Sequence, residues 1–276
     1  MKIISAKKIT ETIRNLCLKA NLDLRNDVLA ALKLARLREK NKRARNILDA
    51  IVKNAFIARE ERLAICQDTG IPCVFVELGQ DVKINGDLNK AINKGIVQGY
   101  KNGFFRESIV KEPISRKESG YTPTVIHIDI VGGDKLKLTV LPKGFGCENK
   151  SQLKMFNPTA KIEEIKEFII EAVKAAGPDA CPPYVVGVGI GGTADLAMLL
   201  AKKSLLRRLQ TPNSKLQTLE KELLNKINHL NIGPMGLGGN TTALAVNIEI
   251  YPTHIAGLPV AVNISCHALR SATKTL

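Results

Sequence analysis

Tryptophan is absent from this 276-residue chain, and aromatic residues make up only 4% of it. Proteins that bind single-stranded nucleic acid stack bases on aromatics set among basic residues. Here Phe56 is the only aromatic in the first 62 residues, although that stretch holds 16 Lys/Arg against 7 Asp/Glu. The composition therefore counts against a nucleic-acid platform. The net charge of +15 leaves two other readings open: a solvated helix face, or a surface for an acidic partner subunit.

Other absences narrow the class further. No apolar run approaches the roughly 18 residues of a membrane helix. The N-terminus Met1-Lys-Ile-Ile-Ser leads into Lys7-Lys8 with no apolar core of a signal peptide, so a cytosolic location is expected. No Cys-x-x-Cys pair is present, which argues against a zinc finger or ribbon. The spaced cysteine run of ferredoxins is missing, as are His-Glu-x-x-His and Gly-x-Ser-x-Gly.

What is present begins with six cysteines: 17, 66, 73, 147, 181 and 266. In a reducing compartment they are not expected to pair as disulfides. Cys66, Cys181 and Cys266 lie 115 and 85 residues apart, each at a loop or strand edge beside polar or proline-rich sequence. Ligands gathered from distant loops suit a cluster at the centre of a fold. Cys17 and Cys73 read as core residues.

Periodicity predicts helices over residues 5–60, with Asn21 and Asn26-Asp27 as punctuation, and further helices over 87–101, 160–176, 193–209 and 214–228. Strands are expected at Cys73–Leu78, Thr124–Val131, Lys135–Leu141, Tyr184–Ile190, Val246–Tyr251 and Pro259–Ser265. Gly132-Gly133-Asp134 predicts a hairpin between the second and third of these. The fold class is α+β: a helical N-terminal region, about 1–62, followed by a mixed α/β region, about 63–276, with cluster ligands on loops and strand ends. No repeat or linker divides the chain, and a single domain over 1–276 is expected.

Four segments carry residues a core would not choose. Ala64–Cys73 contains Cys66-Gln-Asp-Thr-Gly before a strand. Leu141–Ser151 places two glycines between Lys143 and Lys150, a setting for an anion. Ala180–Thr193 runs from Cys181-Pro-Pro-Tyr to Gly187, Gly189 and Gly192, which satisfy Gly-x-Gly-x-x-Gly. A dinucleotide site also wants an acidic residue about 20 positions on. After Asp195 the next is Glu220, inside a helix, so a nicotinamide or flavin site is not expected. Thr253–Arg270 closes a strand with Cys266-His and carries Arg270 nearby, downstream of the glycine-rich Gly233–Thr242.

Taken together, Cys66-Gln-Asp-Thr-Gly, Lys143-Gly-Phe-Gly-Cys-Glu-Asn-Lys-Ser, Cys181-Pro-Pro-Tyr with Ile190-Gly-Gly-Thr, Gly236-Leu-Gly-Gly-Asn-Thr and Cys266-His-Ala-x-Arg270 resemble the class I fumarase and tartrate dehydratase family. The match is to its alpha subunit, the N-terminal part of the one-chain enzymes, and covers nearly the whole chain. The resemblance implies a [4Fe–4S] cluster on Cys66, Cys181 and Cys266, with the fourth iron open to substrate as a Lewis acid. It points to Gln67, Arg106, Gly144 and Gly146 as substrate-binding and to Asp68 and His254 as catalytic.

The activity implied is interconversion of fumarate and L-malate, with L-tartrate dehydration as the alternative. A non-catalytic basic binding protein on the same scaffold is a third reading. The implied partners are a small dicarboxylate, a beta subunit carrying the rest of the site, and a second copy of this chain within a larger heteromer. One departure stands out: the family loop commonly reads Gly-Ser-Glu-Asn, and Cys147 occupies the serine position here. The expectation is a plain Ser-to-Cys exchange without ligation.

Overall fold

A computed structural model of the chain describes residues 1–209 and 216–276. Its elements in chain order begin with β1 (Lys2–Ser5), α1 (Ala6–Leu22), α2 (Asn26–Arg38), α3 (Lys42–Glu60), β2 (Ile71–Gly79), β3 (Val82–Asn85) and α4 (Leu88–Asn102). Then come β4 (Ile109–Glu112), β5 (Lys117–Gly120), β6 (Val125–Val131), β7 (Leu136–Lys143), the single turn α5 (Phe145–Glu148) and β8 (Gln152–Phe156). The last part holds α6 (Ile162–Ala176), β9 (Tyr184–Gly192), α7 (Ala194–Ser204), α8 (Gln217–Asn228), β10 (Ala243–Thr253), β11 (Leu258–Ser265) and β12 (Ala272–Thr275). The fold is α+β. Among the described residues, no helix is long and apolar enough to cross a membrane.

The elements form two compact units interleaved along the sequence. The first holds Met1–Arg25, Ala55–Phe145 and Arg270–Leu276; the second holds Asn26–Asn54 and Gly146–Leu269.

In the first unit, α1 packs on β7 and β12 of a four-stranded sheet ordered β12-β7-β2-β6, and α4 packs against α1 in the same apolar cluster. Ser5 caps α1, its Oγ accepting the Lys8 N–H at 3.2 Å. The apolar stripe Ile9, Ile13, Leu16 and Cys17 is thereby aimed at Val74, Val76, Leu138 and Val140 of the sheet. Burial pushes the Cys17 thiol far up, so it stays protonated as a core residue.

The hairpin predicted at Gly132–Asp134 does not form. β2 lies between the two strands, parallel to β6 and antiparallel to β7. The reason is burial: Pro72–Val76 are buried without a break. A strand apolar on both faces takes the sheet centre. The glycine turn instead wraps the end of β2, the Asp81 N–H donating to the Gly133 carbonyl at 3.0 Å. Beside this sheet stand a parallel pair, β1 with β3, and a hairpin, β4 with β5. Periodicity missed these pieces because they are four residues long.

In the second unit a sheet ordered β10-β9-β11-β8 is covered on both faces. Helices α6 and α8 pack Ile165, Ile169, Leu223 and Ile227 against Val186, Val188, Val260 and Val262. Helix α7 lies on the other face, where Ala197 and Ala201 meet Ala261. The helix predicted over 193–209 stops at Ser204, and residues 205–209 form turns. The one predicted over 214–228 begins at Gln217; residues 214 and 215 fall outside the described residues.

The Gly-x-Gly-x-x-Gly pattern has a packing explanation. A Cβ at Gly187 would stand 2.2 Å from the Ala201 carbonyl oxygen, and one at Gly189 2.1 Å from that of Ala197. These glycines let the backbone of α7 lie directly on β9. Because the obstruction is backbone, Gly189→Ala should destabilise the chain by about 1–3 kcal/mol. Denaturant unfolding of the two proteins measures this.

Candidate active site

The first unit builds its part of the site on the turn Cys66–Gly70. Gly70 is needed there: its φ is +73°, and a Cβ would stand 2.8 Å from the Lys143 nitrogen. Asp68 then folds back, its Oδ1 accepting the Gly70 N–H at 2.9 Å and its Oδ2 the Phe145 N–H at 2.8 Å. A carboxylate at two backbone donors from different loops is a charge-assisted clamp. It ties the Cys66 turn to the glycine loop after β7. A Cβ at Gly144 would stand 3.2 Å from Asp68 Oδ2, so glycine leaves the carboxylate room.

Three buried groups hold the backbone of this turn. The Tyr100 hydroxyl donates to the Thr69 and Gly70 carbonyls at 3.0 and 3.2 Å. Burial pushes its pKa far up, so it remains a donor. Arg270 is 3% exposed. Its Nη2 donates to the Asp68 carbonyl, while its Nε is buried with no hydrogen-bond partner among the described residues. Thr69 Oγ1 accepts the Arg106 N–H at 3.1 Å, which sets where the Arg106 side chain begins.

Asp68, Arg106, Arg116 and Phe145 line one cleft of about 720 Å³, walled by Ile109 and Val110 of β4. Glu107 lines it as well, so two guanidiniums share the cleft with two carboxylates and both signs of charge are present. Gln67 is exposed and Cys66 half-buried at its place in the turn.

The second unit gathers Cys181 and Cys266. Cys181 ends a short 3₁₀ turn, Gly177–Ala180, with φ +55°, a conformation uncommon for a residue with a side chain. Its carbonyl accepts the His267 backbone N–H at 3.4 Å and lies 3.1 Å from His267 Nδ1. The residue beside Cys266 is thus bonded to Cys181 itself. Tyr184 sits among these groups. Burial raises its pKa most, and Cys147, Cys181, Asp179 and Cys266 around it raise it further.

Cys181 and Cys266 are half-buried, like Cys66, whereas Cys17, Cys73 and Cys147 are buried. The Cys147 thiol donates to the Ala180 carbonyl at 3.3 Å and packs into the core with Tyr184. The loop around it is pinned elsewhere: Glu148 pairs with Lys202, and Asn263 Nδ2 donates to Glu148 Oε2 at 3.0 Å and to Ser151 Oγ at 2.9 Å.

Of the lysines flanking that loop, Lys143 is 1% exposed and Lys150 pairs with Asp179 at 3.1 Å. At Gly146 a Cβ would meet only the Asp179 carbonyl at 3.7 Å, so packing does not demand glycine. His254 is exposed on the turn between β10 and β11, its Nδ1 accepting the Ala256 N–H at 3.1 Å. In the neutral ring the proton then sits on Nε2.

The structure therefore brings Asp68, Arg106 and Gly144 together in one unit and Cys181 with Cys266 in the other. Sequence reasoning gave no role to Tyr100, Thr69 or Arg116. Arg270 was visible in the Cys266-His-Ala-x-Arg motif, but nothing in sequence says that it grips the backbone of Asp68. Among the described residues, no group of three His, Cys, Asp or Glu side chains converges as it would on a single metal ion.

Residues 10–275 match the family model described as Fumarate hydratase (Fumerase). The chain belongs to this family. A relative from Methanocaldococcus jannaschii, carrying the name "Putative L(+)-tartrate dehydratase subunit alpha", is 40% identical over 98% of this chain and 98% of its own. The L(+)-tartrate dehydratase subunit alpha of Escherichia coli strain UTI89 is 30% identical over 98% of this chain and 91% of its own, and that of strain K12 is 29% identical over the same shares. The matched span includes every residue of both clusters described above.

The grip of Tyr100 on the Asp68 turn has a measurable consequence. Tyr100→Phe leaves two buried carbonyls without their donor. It should cost about 1–3 kcal/mol of stability and raise backbone exchange at residues 68–70, as read by thermal unfolding and hydrogen exchange.

Proposed function

We propose that this chain is the alpha-type subunit of a [4Fe–4S]-dependent hydro-lyase acting on a hydroxylated four-carbon dicarboxylate, with fumarate and L-malate as the substrate pair. The observation that carries this reading is the cleft of the first unit. There the clamped carboxylate of Asp68 shares a cavity with Arg106, on the same turn as Cys66.

The thiols fit a cluster in their chemistry. Three half-buried cysteines on loops stand apart from three buried in cores. Each thiolate of a cluster binds its own iron, so the three need not converge on one point as ligands to a single ion do. When bound, the cluster would supply a Lewis-acidic iron without a protein thiolate.

The chain's own residues do the rest. Arg106 holds a substrate carboxylate through two parallel hydrogen bonds, with Gln67 alongside. Asp68 offers the lone pairs left after its two backbone bonds, either to orient the substrate or to take up a C–H proton. His254, protonated at Nε2 in its neutral form, is a donor for the departing hydroxyl. Gly144 and Gly146 keep the approach clear of side chains. Cys147, held in the core through Ala180, is not a ligand in this reading.

A beta subunit would complete the site, in keeping with the names of the relatives. Those names also favour a second reading, L(+)-tartrate dehydration by the same chemistry.

The test is anaerobic turnover of fumarate, L-malate and L-tartrate by the chain together with its partner subunit. Iron-dependent turnover of fumarate and L-malate supports the leading reading, and preference for L-tartrate moves it to the second. Full activity without iron would sink both. Alanine at Cys66, Cys181 or Cys266 should abolish the cluster in iron counts and visible absorbance, while Cys147→Ser retains it. Arg106→Lys, which loses the forked contact, should lower kcat/KM roughly 10- to 100-fold, the equivalent of about 1.4–2.8 kcal/mol.

A further inference from the structure

Glu39, between α2 and α3 of the second unit, is a carboxylate in an apolar setting. It is 1% exposed, and nothing in the proposed chemistry uses it. Both of its oxygens end on neutral backbone donors. Oε1 accepts the Asn41 N–H at 3.0 Å and Oε2 the Asn240 N–H at 2.8 Å. No ion pair to it forms among the described residues. Burying a carboxylate without a cation is costly, and an apolar side chain at such a place stabilises a core better. Stability alone does not account for Glu39.

The bond to Asn41 is local. Asn41 caps α3, its Oδ1 accepting the Arg43 and Ala44 N–H groups at 2.9 and 3.2 Å. Arg45 donates to the Glu39 carbonyl through Nε and Nη2 at 3.1 and 2.7 Å. The backbone of Glu39 is thus fixed, and its side chain reaches from a firm base. The other bond spans 201 residues, to the glycine-rich loop Gly233–Thr242. Gly239 permits the approach: its φ is +115°, and a Cβ would stand 2.6 Å from Ala44 Cβ and 3.0 Å from Glu39 Oε2.

The same loop carries the Cys181 turn. The Met235 N–H donates to the Pro182 carbonyl at 2.8 Å, and the Thr242 carbonyl accepts the Tyr184 N–H at 2.8 Å. Gly236 lies so close to Pro178 that a Cβ would stand 2.2 Å from Pro178 Cβ. These contacts bracket Cys181, whose own N–H donates to the Pro178 carbonyl at 3.0 Å. The loop itself has four glycines in ten residues, all at positive φ. Such backbone keeps one shape only when it is held from outside. Asn228 Oδ1 holds its end, accepting the Thr242 and Ala243 N–H groups at 2.8 Å each. Glu39 holds it beside the glycines.

We propose that Glu39 is a positioning residue for Cys181. Its carboxylate fixes the loop at Asn240, the loop fixes Pro178 and Pro182, and these keep Cys181 in its left-handed conformation. The consequence for cluster binding rests on the proposed function; the hold on Cys181 does not.

The test uses the full chain and two variants. Glu39→Gln keeps the shape but loses the charge and one acceptor. Gly239→Ala presses the loop off an intact carboxylate, and decides alone should Glu39→Gln fail to fold. Gly189→Ala, at the packing of α7 on β9, is the destabilised control. In the chain without a cluster, amide exchange at Asn240, Met235 and Cys181 should rise roughly tenfold in both loop variants. Iodoacetamide should label Cys181 faster by a similar factor, measured against Cys66 in the same molecule. The control should move neither readout. In the chain loaded anaerobically with iron and sulfide, the paramagnetic resonance spectrum of the reduced cluster should shift in the loop variants and not in the control. Faster exchange at Asn240 alone, with Met235 and Cys181 unchanged, would overturn the proposal, as would an equal response in Gly189→Ala. A wild type that takes up no cluster would instead strike the proposed function, and exchange and labelling would still decide the hold on Cys181.

Discussion

The carboxylate of Asp68 is the joint on which the first unit's site depends. Two backbone N–H groups, from Gly70 and Phe145, end on its two oxygens. One belongs to the turn that carries Cys66, the other to the loop that carries Gly144. Each charge-assisted hydrogen bond is stronger than one between a neutral amide and a carbonyl. Together they fix two loops that would otherwise be free to drift apart. Tyr100, Thr69 and Arg270 act on the same turn from beneath. The result is a preorganised surface: the polar groups facing the cleft are placed before any ligand arrives, and binding need not order them.

The second unit uses a different means to the same end. Cys181 sits in a left-handed conformation between a 3₁₀ turn and two prolines, and its carbonyl is bonded to His267. The two cysteine loops thus restrain each other through main chain and imidazole. Cys147 shows why position in the fold outranks residue type. Its thiol points to the Ala180 carbonyl within a hydrophobic core, and the polar work of its loop is done by Glu148, Ser151 and Asn263.

Much of the helical framework was legible in sequence, because α1, α3, α4, α6 and α8 carry apolar stripes at the helical period. The buried strands β9 and β11 were legible for a related reason, as apolar runs between turn residues. Strand order was not. The glycine turn at 132–134 reads locally as a hairpin, and only the competition for the sheet centre, won by the doubly buried β2, rules it out. The candidate ligands Cys66, Cys181 and Cys266, and Asp68, could be nominated from their motifs. The supports beneath them could not: Tyr100 is one residue in an amphipathic helix, and Arg270 lies 202 residues from the carbonyl it holds.

The Asp68 carboxylate organises both loops. Asp68→Asn tests it most directly, since the amide keeps the shape but loses the charge and one acceptor. The measurement is residue-resolved hydrogen exchange at Gly70 and Phe145 in the otherwise folded chain. Faster exchange at both amides, with the sheet core unchanged, is the predicted result. Unchanged protection at both would contradict the account.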